Sequence, residues 1–264
     1  MQNPPLTSAH QRYLPKPAVS VVIPVFNAEG CVPELLHRLN AVLDADDQIV
    51  LVDDFSNDDS WQKIEQSAAA DHRICGVRLD RNHGQYRAIA AGLSQARGAL
   101  IVVMDCDLQD SPEAISTLLN AQSKSGNLII NVRRVRRRDG LFRRVTSRIV
   151  TASMRLMGLR RMSDGSATFS LICSSVAQKY LALAKWDTVY PVLLHELGGG
   201  NLYVDIVHQP RFSGRSAYSF WDRLKIALHA TRHVLLLRLT LADVSSVTAK
   251  SVFTVAEILN APDS

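Results

Sequence analysis

The sequence predicts an α/β fold built on a doubly wound, mostly parallel sheet flanked by helices. Three short apolar runs have the composition of strands buried on both faces, and turn-forming residues bound each run. The segments between these runs have helical periodicity, so strands and helices alternate. An acidic turn follows the second and third runs, and a polar turn with one glutamate follows the first.

The predicted elements lie in the N-terminal half of the chain. The strands are predicted at Val19–Pro24, Gln48–Val52 and Ala99–Met104. The helices are predicted at Cys31–Leu43, Ser60–Ala70 and Tyr86–Ala96. Ligands of such sheets bind beyond the carboxyl ends of the strands, so the turns after the strands are the first candidates for a site.

Composition narrows the class of protein. The chain has 264 residues, of which 47% are hydrophobic, and a formal net charge of +5. This suits one packed α/β domain with an appendage and a partner that bears phosphates. The four cysteines are far apart and form no C-x-x-C pair, which predicts free thiols in a reducing compartment.

The terminal composition predicts a cytoplasmic protein, with peripheral membrane contact left open. Residues 1–17 are polar and proline-rich and lack the apolar core of a signal peptide, so we expect a flexible lead-in. No apolar stretch reaches the roughly 18 residues that a membrane span needs.

The acidic turn after the third strand carries the chemistry. Asp105 and Asp107 lie two residues apart, so both can face one hard cation while Cys106 turns into the core. A single acidic turn could equally be a helix N-cap, but several turns at one sheet edge favour a binding site. No glycine-rich phosphate loop follows any of the three strands, which disfavours the dinucleotide-binding and P-loop folds.

Several motifs, in order and at consistent spacing, together carry a family resemblance. They are Val22-Ile23-Pro24-Val25-Phe26-Asn27, Val52-Asp53-Asp54-Phe55-Ser56-Asn57-Asp58, Arg81-Asn82-His83-Gly84-Gln85, Ala91-Gly92-Leu93 and Met104 to Glu113. With them the chain resembles the family 2 glycosyltransferases of the GT-A fold, in particular the branch of dolichol-phosphate mannose synthases and bacterial undecaprenyl-phosphate glycosyltransferases. The resemblance implies a GT-A domain over 18–219, with a donor half at about 18–125 and an acceptor half at about 126–219.

The resemblance also implies roles for individual residues. A manganese or magnesium ion would be held by Asp105, Asp107 and Gln109. The donor, a nucleotide diphosphate sugar, would be bound by Pro24, Phe26, Glu29, Asp53, Asp54, Arg81, Gln85, Asp105 and Asp107. The candidates for the acceptor phosphate are Arg133, Arg134, Arg137, Arg211 and Arg215, and the catalytic candidates are Asp107, Arg133 and Arg211.

Departures from the family pattern fall mostly on the acceptor side. Ser216-Ala217-Tyr218 replaces a signature with a central lysine, and Phe55 stands where a glycine is usual. We therefore expect inverting transfer from a nucleotide sugar, with a polyprenyl phosphate preferred over a saccharide hydroxyl as acceptor. A hydroxyl acceptor would need a general base. Asp164 and Glu196 are candidates for that base, and neither is assigned.

Other classes of function remain as alternatives. A catalytically silent protein that binds nucleotide sugars or acts as a membrane scaffold would keep the fold, but the retained Asp105, Asp107 and Gln109 argue against it. A nucleotidyltransferase is disfavoured because Pro24–Gly30 contains no lysine or arginine.

The rest of the chain is basic and then amphipathic. The arginine-rich run Arg133–Arg148 has no aromatic platform or recognition motif, so we do not predict nucleic-acid binding. Residues 220–264 are predicted to be a C-terminal helical segment, with an amphipathic helix at Phe220–Leu241. That helix could pack on the core, in a homo-oligomer or on a membrane surface.

Overall fold

The computed structural model describes residues 18–135, 166–183, 189–197, 202–207, 209 and 253–261. In chain order its elements are β1 (Val19–Val25), α1 (Val32–Asn40), β2 (Gln48–Asp53), α2 (Ser60–Ala70), β3 (Ile74–Leu79), α3 (Gln85–Gln95), β4 (Leu100–Val103), α4 (Ala114–Ser125), β5 (Ile129–Val135), β6 (Ser166–Cys173), α5 (Ser174–Leu183), α6 (Tyr190–Leu197), β7 (Leu202–Val207) and β8 (Val255–Leu259).

The described strands form one sheet in the order β7-β5-β6-β4-β1-β2-β3-β8. Strands β1 to β4 pair in parallel, and β5 pairs in parallel with β7. Only β6 and β8, among the strands described, run antiparallel to their neighbours. The prediction of a mostly parallel sheet flanked by helices is therefore confirmed.

Helices cover both faces of the sheet, which explains why the central strands read as continuous apolar runs. On one face Val21 and Ile23 of β1 pack with residues of α1, α2 and α4. On the other face Val22 packs with residues of α3, α5 and α6. Alternate residues of one strand thus enter two different cores, and every residue of β1 is buried.

Helix α3 approaches the sheet closely at Gly92. A Cβ atom added there would overlap the side chain of Val22 on β1 and lie 3.0 Å from Val52 Cγ2 on β2. Glycine at this point lets α3 cross over β1 and β2, so its first residue, Gln85, comes near the end of β4. The position of α3 therefore determines where Gln85 lies in the candidate site.

Two strands correct or extend the sequence prediction. Strand β3 at Ile74–Leu79 was not predicted, because Gly76 and Arg78 interrupt its apolar run. Strand β8 lies inside the segment 220–264 that was predicted to be helical, and that prediction is wrong for Val255–Leu259. These residues pair with β3, whose outer edge would otherwise lack a partner among the described strands.

Several predicted features lie outside the described residues. They are the lead-in at 1–17, most of the arginine-rich run and the helix at Phe220–Leu241. No helix in the described ranges is long and apolar enough to cross a membrane. The cysteines are free thiols, as predicted, and Cys31 and Cys75 are buried.

A charged pair joins helix α1 to the start of α4. Arg38 donates to both oxygens of Glu113, from Nε at 2.9 Å and from Nη2 at 2.5 Å. This hydrogen bonding lowers the pKa of Glu113 from an ordinary 4.5 to about 2. A lowered carboxyl pKa stabilises the folded state above about pH 4.5, and the stabilisation disappears as the pH falls toward 2.

We predict that Glu113→Gln reduces the acid sensitivity of the fold. Because the Glu113 side chain is half exposed, the pair contributes at most about 1 kcal/mol at neutral pH. Thermal unfolding at about pH 6 and about pH 3 should show a smaller loss of Tm in the variant than in wild type. Glu65→Gln on α2 is the matched control. An equal loss of Tm in all three proteins would contradict the assignment.

Candidate active site

The candidate site forms where the parallel strands end. The carboxyl ends of β1 to β5 lie at one edge of the sheet, and the antiparallel β6 begins at that edge. The loops after β1, β2, β3 and β4 therefore meet there, together with the last residues of β5 and the first residues of β6. This brings together residues that are far apart in the sequence.

The loops after β1 and β2 are fastened to each other by hydrogen bonds. The Asn27 N–H donates to Ser56 Oγ at 2.9 Å, and Asn27 Oδ1 accepts from the Asn57 N–H at 2.9 Å. Glu29 was predicted to bind the donor, but its carboxylate accepts from the Asp59 N–H at 3.0 Å. In the structure Glu29 is therefore one of the residues whose hydrogen bonds hold the two loops together.

Asp54 fastens a third loop. It is 3% exposed, and its two oxygens accept from the backbone N–H groups of His83 at 2.7 Å and Gly84 at 2.8 Å. Gly84 has φ of +88°, a left-handed conformation that glycine adopts without strain, and it immediately precedes α3. Asp54 therefore holds the residues that lead into Gln85, and both of its oxygens are engaged in doing so.

Asp53 is fully buried beneath the same edge. Its carboxylate accepts from the Ser56 N–H at 3.3 Å and lies 3.6 Å from Nε of Arg78. Burial raises the pKa of Asp53, while Ser56 and Arg78 act in the opposite direction. Asp53, the last residue of β2, and Asp54, directly after it, thus both lie buried beneath the site.

Asp105, directly beyond β4, is the point where these loops converge. Its Oδ1 accepts from Gln85 Nε2 at 2.6 Å, and its Oδ2 accepts from Arg134 Nη2 at 3.1 Å. Gln85 Nε2 also lies 3.5 Å from Thr168 Oγ1 on β6. Burial raises the pKa of Asp105 to about 6; Arg134 opposes that rise, and the carboxylates of Asp110 and Asp107 add to it.

Two members of this cluster were not assigned from the sequence. Asp110 belongs to a quoted motif, yet nothing in the sequence showed that it would be buried at 1% exposure and bound by Arg134. Leu108 has φ of +58°, an unusual conformation for a leucine, so the chain turns sharply before Asp110. Thr168 is far from the other site residues in the sequence, and the pairing of β6 with β4 and β5 brings it to the site.

The Asp105–Asp107 sequence fits a hard divalent cation, but only with ligands from elsewhere. Within the described ranges no three carboxylate, imidazole or thiol groups are placed to hold a metal ion. Magnesium commonly takes one or two carboxylates and completes its shell with phosphate oxygens and water. The local charge fits this role, because the carboxylates of Asp107 and Asp110 both raise the pKa of Asp105, and Arg134 binds Asp105 and Asp110.

The residues around Asp107 support the same assignment. Cys106 packs against the core. Burial is the main cause that raises the pKa of its thiol, and the charges of Asp105 and Asp107 add to it. A thiolate ligand is therefore disfavoured. Asp107 Oδ1 accepts from the Gln109 N–H at 3.1 Å. The Gln109 carbonyl accepts from the Gln209 N–H at 3.0 Å, which connects this loop to the residues after β7.

The structure separates the two arginines of β5. Arg134 reaches Asp105 and Asp110, whereas Arg133 pairs with Asp205 on β7 at 2.5 Å and 2.7 Å and is half exposed. Successive residues of a strand point to opposite faces, which accounts for the difference. Arg133, predicted as catalytic, is thus not brought to the Asp105 cluster, while Arg137, Arg211 and Arg215 lie outside the described residues.

The remaining donor candidates differ in exposure. Pro24 is buried within β1, Phe26 is 37% exposed directly after it, and Arg81 is exposed on the loop after β3. Phe55 is 42% exposed, and its φ is +62°, in the left-handed region that disfavours a bulky side chain. Two large aromatic rings are therefore exposed, one on each of the fastened loops.

The model of the glycosyl transferase family 2 matches residues 20–181. The chain belongs to this family. The undecaprenyl-phosphate 4-deoxy-4-formamido-L-arabinose transferase of Photorhabdus laumondii subsp. laumondii is 34% identical over 212 residues, 79% of this chain and 65% of that protein. The protein of the same description from Proteus mirabilis is 34% identical over 206 residues, 76% of this chain and 63% of that protein. The chain therefore covers slightly less than two thirds of these relatives.

Solved structures establish the GT-A fold. The mannosyl-3-phosphoglycerate synthase of Rubrobacter xylanophilus superimposes with a TM-score of 0.59 at 18% identity, covering 88% of this chain and 77% of that one. The glucosyl-3-phosphoglycerate synthase of Mycobacterium tuberculosis, in complex with Mn2+, UDP and glucosyl-3-phosphoglycerate, gives a TM-score of 0.56 at 18% identity, covering 84% and 79%. The expected fold is confirmed.

We predict that a glycine at position 55 gives a more stable protein than an alanine. Phe55→Gly and Phe55→Ala both remove the ring, but only glycine adopts φ of +62° without strain. The free energy of unfolding in urea should be higher for Phe55→Gly by about 1 kcal/mol.

The same two substitutions at Phe26 serve as the control. Phe26 is not among the described residues with positive φ, so alanine there should be at least as stable as glycine. If alanine is at least as stable as glycine at both positions, the backbone at Phe55 does not require the left-handed conformation.

Proposed function

We propose that this protein transfers a glycosyl group, with inversion, from a nucleotide diphosphate sugar to a polyprenyl phosphate at the cytoplasmic face of the membrane. The observation that carries the proposal is the cluster around Asp105, where Gln85, Asp110 and Arg134 meet beyond the strand ends. The names of the relatives, which are undecaprenyl-phosphate sugar transferases, support the choice of acceptor.

Asp105 and Asp107 would hold a manganese or magnesium ion, which supplies the positive charge that a leaving nucleoside diphosphate requires. The grouping of the Asp105, Asp107 and Asp110 carboxylates supports this role, as does the Mn2+ and UDP complex of a protein with the same fold. Gln109 contributes its backbone to the Asp107 turn. A direct ligand role for the Gln109 side chain remains a proposal.

The donor would lie over the fastened loops. The exposed ring of Phe26 can stack on a nucleotide base. Gln85 binds Asp105, the carboxylate proposed to hold the metal, and would therefore lie near the sugar and the diphosphate of the donor. We propose that Asp54 acts by holding the loop of residues 80–84, because both of its oxygens accept from that loop. Asp53 would support these loops from beneath, and Glu29, which is exposed, would hold the loop after β1 to the loop after β2.

A phosphate acceptor explains how the reaction can proceed without a general base. Its oxygen is already anionic near pH 7, so it can attack the anomeric carbon directly. One bond forms between that carbon and the acceptor phosphate oxygen. The bond to the donor diphosphate breaks, and its electron pair leaves with the nucleoside diphosphate. In-line attack inverts the anomeric centre.

The cations for the acceptor phosphate would come from the end of β5 and from the segments that follow. Arg134 is the arginine that the structure brings to the cluster. Arg137, Arg211 and Arg215 remain candidates from the sequence. Arg133 is not among these cations, because its guanidinium binds Asp205 on an exposed face.

Transfer of labelled sugar to undecaprenyl phosphate in detergent tests the proposal. Uridine, guanosine and thymidine diphosphate sugars should be screened with Mn2+ and with a chelator. We expect one donor to give a lipid-linked, metal-dependent product, and we expect Asp107→Ala to lower its rate by about a hundredfold or more. Asp46→Ala, in the exposed loop before β2 at the opposite sheet edge, should retain the rate.

Two results would contradict the proposal in different ways. A product formed only with saccharide acceptors would replace the polyprenyl phosphate and require a general base. No metal-dependent turnover of any donor, from a protein that is folded by circular dichroism, would leave a silent nucleotide-sugar-binding protein.

A further inference from the structure

Arg134 occupies the position of a cation beside the carboxylate assigned to the metal. Its side chain binds Asp110 through two bonds, Nε to Oδ1 at 3.1 Å and Nη2 to Oδ2 at 2.5 Å. The same Nη2 donates to Asp105 Oδ2 at 3.1 Å. The side chain of Arg134 is 21% exposed, so this guanidinium is largely withdrawn from water.

These contacts leave no oxygen of Asp105 without a donor. Oδ1 accepts from Gln85 and Oδ2 accepts from Arg134. Each oxygen keeps further acceptor capacity for a metal ion, but a divalent cation bound to Asp105 would lie next to the guanidinium and be repelled by it. Gln85 is neutral, so Arg134 provides the larger obstacle.

The geometry also shows which contact would give way. Arg134 holds Asp110 through two nitrogen–oxygen pairs, and paired contacts of this kind are the stronger form of arginine–carboxylate binding. It holds Asp105 through a single contact, at 3.1 Å. The guanidinium can therefore keep Asp110 as its anchor and withdraw from Asp105.

We propose that Arg134 is a built-in counter-cation of Asp105 that competes with a divalent metal for this carboxylate, so that Arg134 lowers the metal affinity of the protein. The inference rests on the proposed function, because it takes Asp105 and Asp107 as the metal-binding pair. It assigns Arg134 a positioning role toward the metal site, and this role is distinct from binding an acceptor phosphate.

The neighbouring arginine provides a matched control. Arg133 is on the same strand, but its guanidinium binds Asp205 on β7 and is about half exposed. Removing the charge of Arg133 changes the net charge of the protein as much as removing that of Arg134. Any effect of net charge alone should therefore be equal in the two variants.

The affinity of the whole chain for Mn2+ tests the inference. It is measured from the electron paramagnetic resonance signal of the unbound ion. We expect Arg134→Met to bind Mn2+ about tenfold more tightly than wild type, within the range typical of coupled sites. Arg133→Met should stay within about twofold of wild type, because its charge does not compete at Asp105.

A second pair of variants addresses the burial of Asp110. Its carboxylate is 1% exposed, so Arg134→Met alone could destabilise the fold. Asp110→Asn keeps the arginine and removes its anchor, so Arg134 should turn fully to Asp105 and weaken Mn2+ binding. The double variant Arg134→Met/Asp110→Asn should then bind Mn2+ more tightly than Asp110→Asn, and circular dichroism checks that both are folded.

The outcomes separate the inference from the function on which it rests. The inference is overturned, while the metal site stands, if two results are found together. Arg134→Met binds Mn2+ no more tightly than wild type, and the double variant binds Mn2+ no more tightly than Asp110→Asn. No Mn2+ binding by wild type or by any variant would overturn both. Tighter binding by Arg133→Met and Arg134→Met alike would show an effect of net charge and overturn the inference.

Discussion

The carboxylate of Asp105 depends on three separate parts of the fold, and the rest of the site is arranged around it. Gln85 reaches it from the start of α3, Arg134 reaches it from the end of β5, and Asp105 itself lies directly beyond β4. These parts meet only because β4 and β5 run in the same direction and α3 crosses the sheet at Gly92. A largely buried carboxylate with these partners requires the whole sheet to be formed.

The site combines loops that are fastened to one another with a group of carboxylates. The loops after β1, β2 and β3 are held by backbone N–H groups that donate to Asn27, Glu29 and Asp54, so their shape is set before any ligand binds. Beyond β4, Asp105 and Asp110 share the guanidinium of Arg134, and the carboxylate of Asp107 acts on Asp105 from close by. Fastened loops beside a group of carboxylates suit a ligand that arrives together with a cation, and a nucleoside diphosphate with its metal ion is such a ligand.

Much of the fold could be predicted because parallel strands that are covered by helices on both faces consist of consecutive apolar residues. β1, β2 and β4 lie where those runs lie, and the residues after them form the site. Strand β3 was missed because Gly76 and Arg78 break its run, although five of its six residues are buried. Strand β8 could not be predicted from its own five residues, since its partner, β3, is far away in the sequence.

The site was predictable as a set of residues, but the function of each residue within it was not. The family resemblance identified Gln85 and Asp105, and the structure brings them into contact. Which of Arg133 and Arg134 faces the site depends on the register of β5, which shifts against β6 between Asn131 and Arg133. The roles of Glu29 and Asp54 depend on hydrogen bonds across about 30 residues of sequence, and no local pattern encodes such contacts.

The most direct test of the account is a crystal structure of the protein grown with Mn2+ and a nucleoside diphosphate, with anomalous scattering used to locate the metal. The account predicts one manganese peak at about 2.1 Å from a carboxylate oxygen of Asp105 or Asp107, with diphosphate oxygens completing its shell. It also predicts that Arg134 has left Asp105 and still binds Asp110. A peak at another place, or a diphosphate bound away from the ends of β1, β2 and β4, would contradict the account.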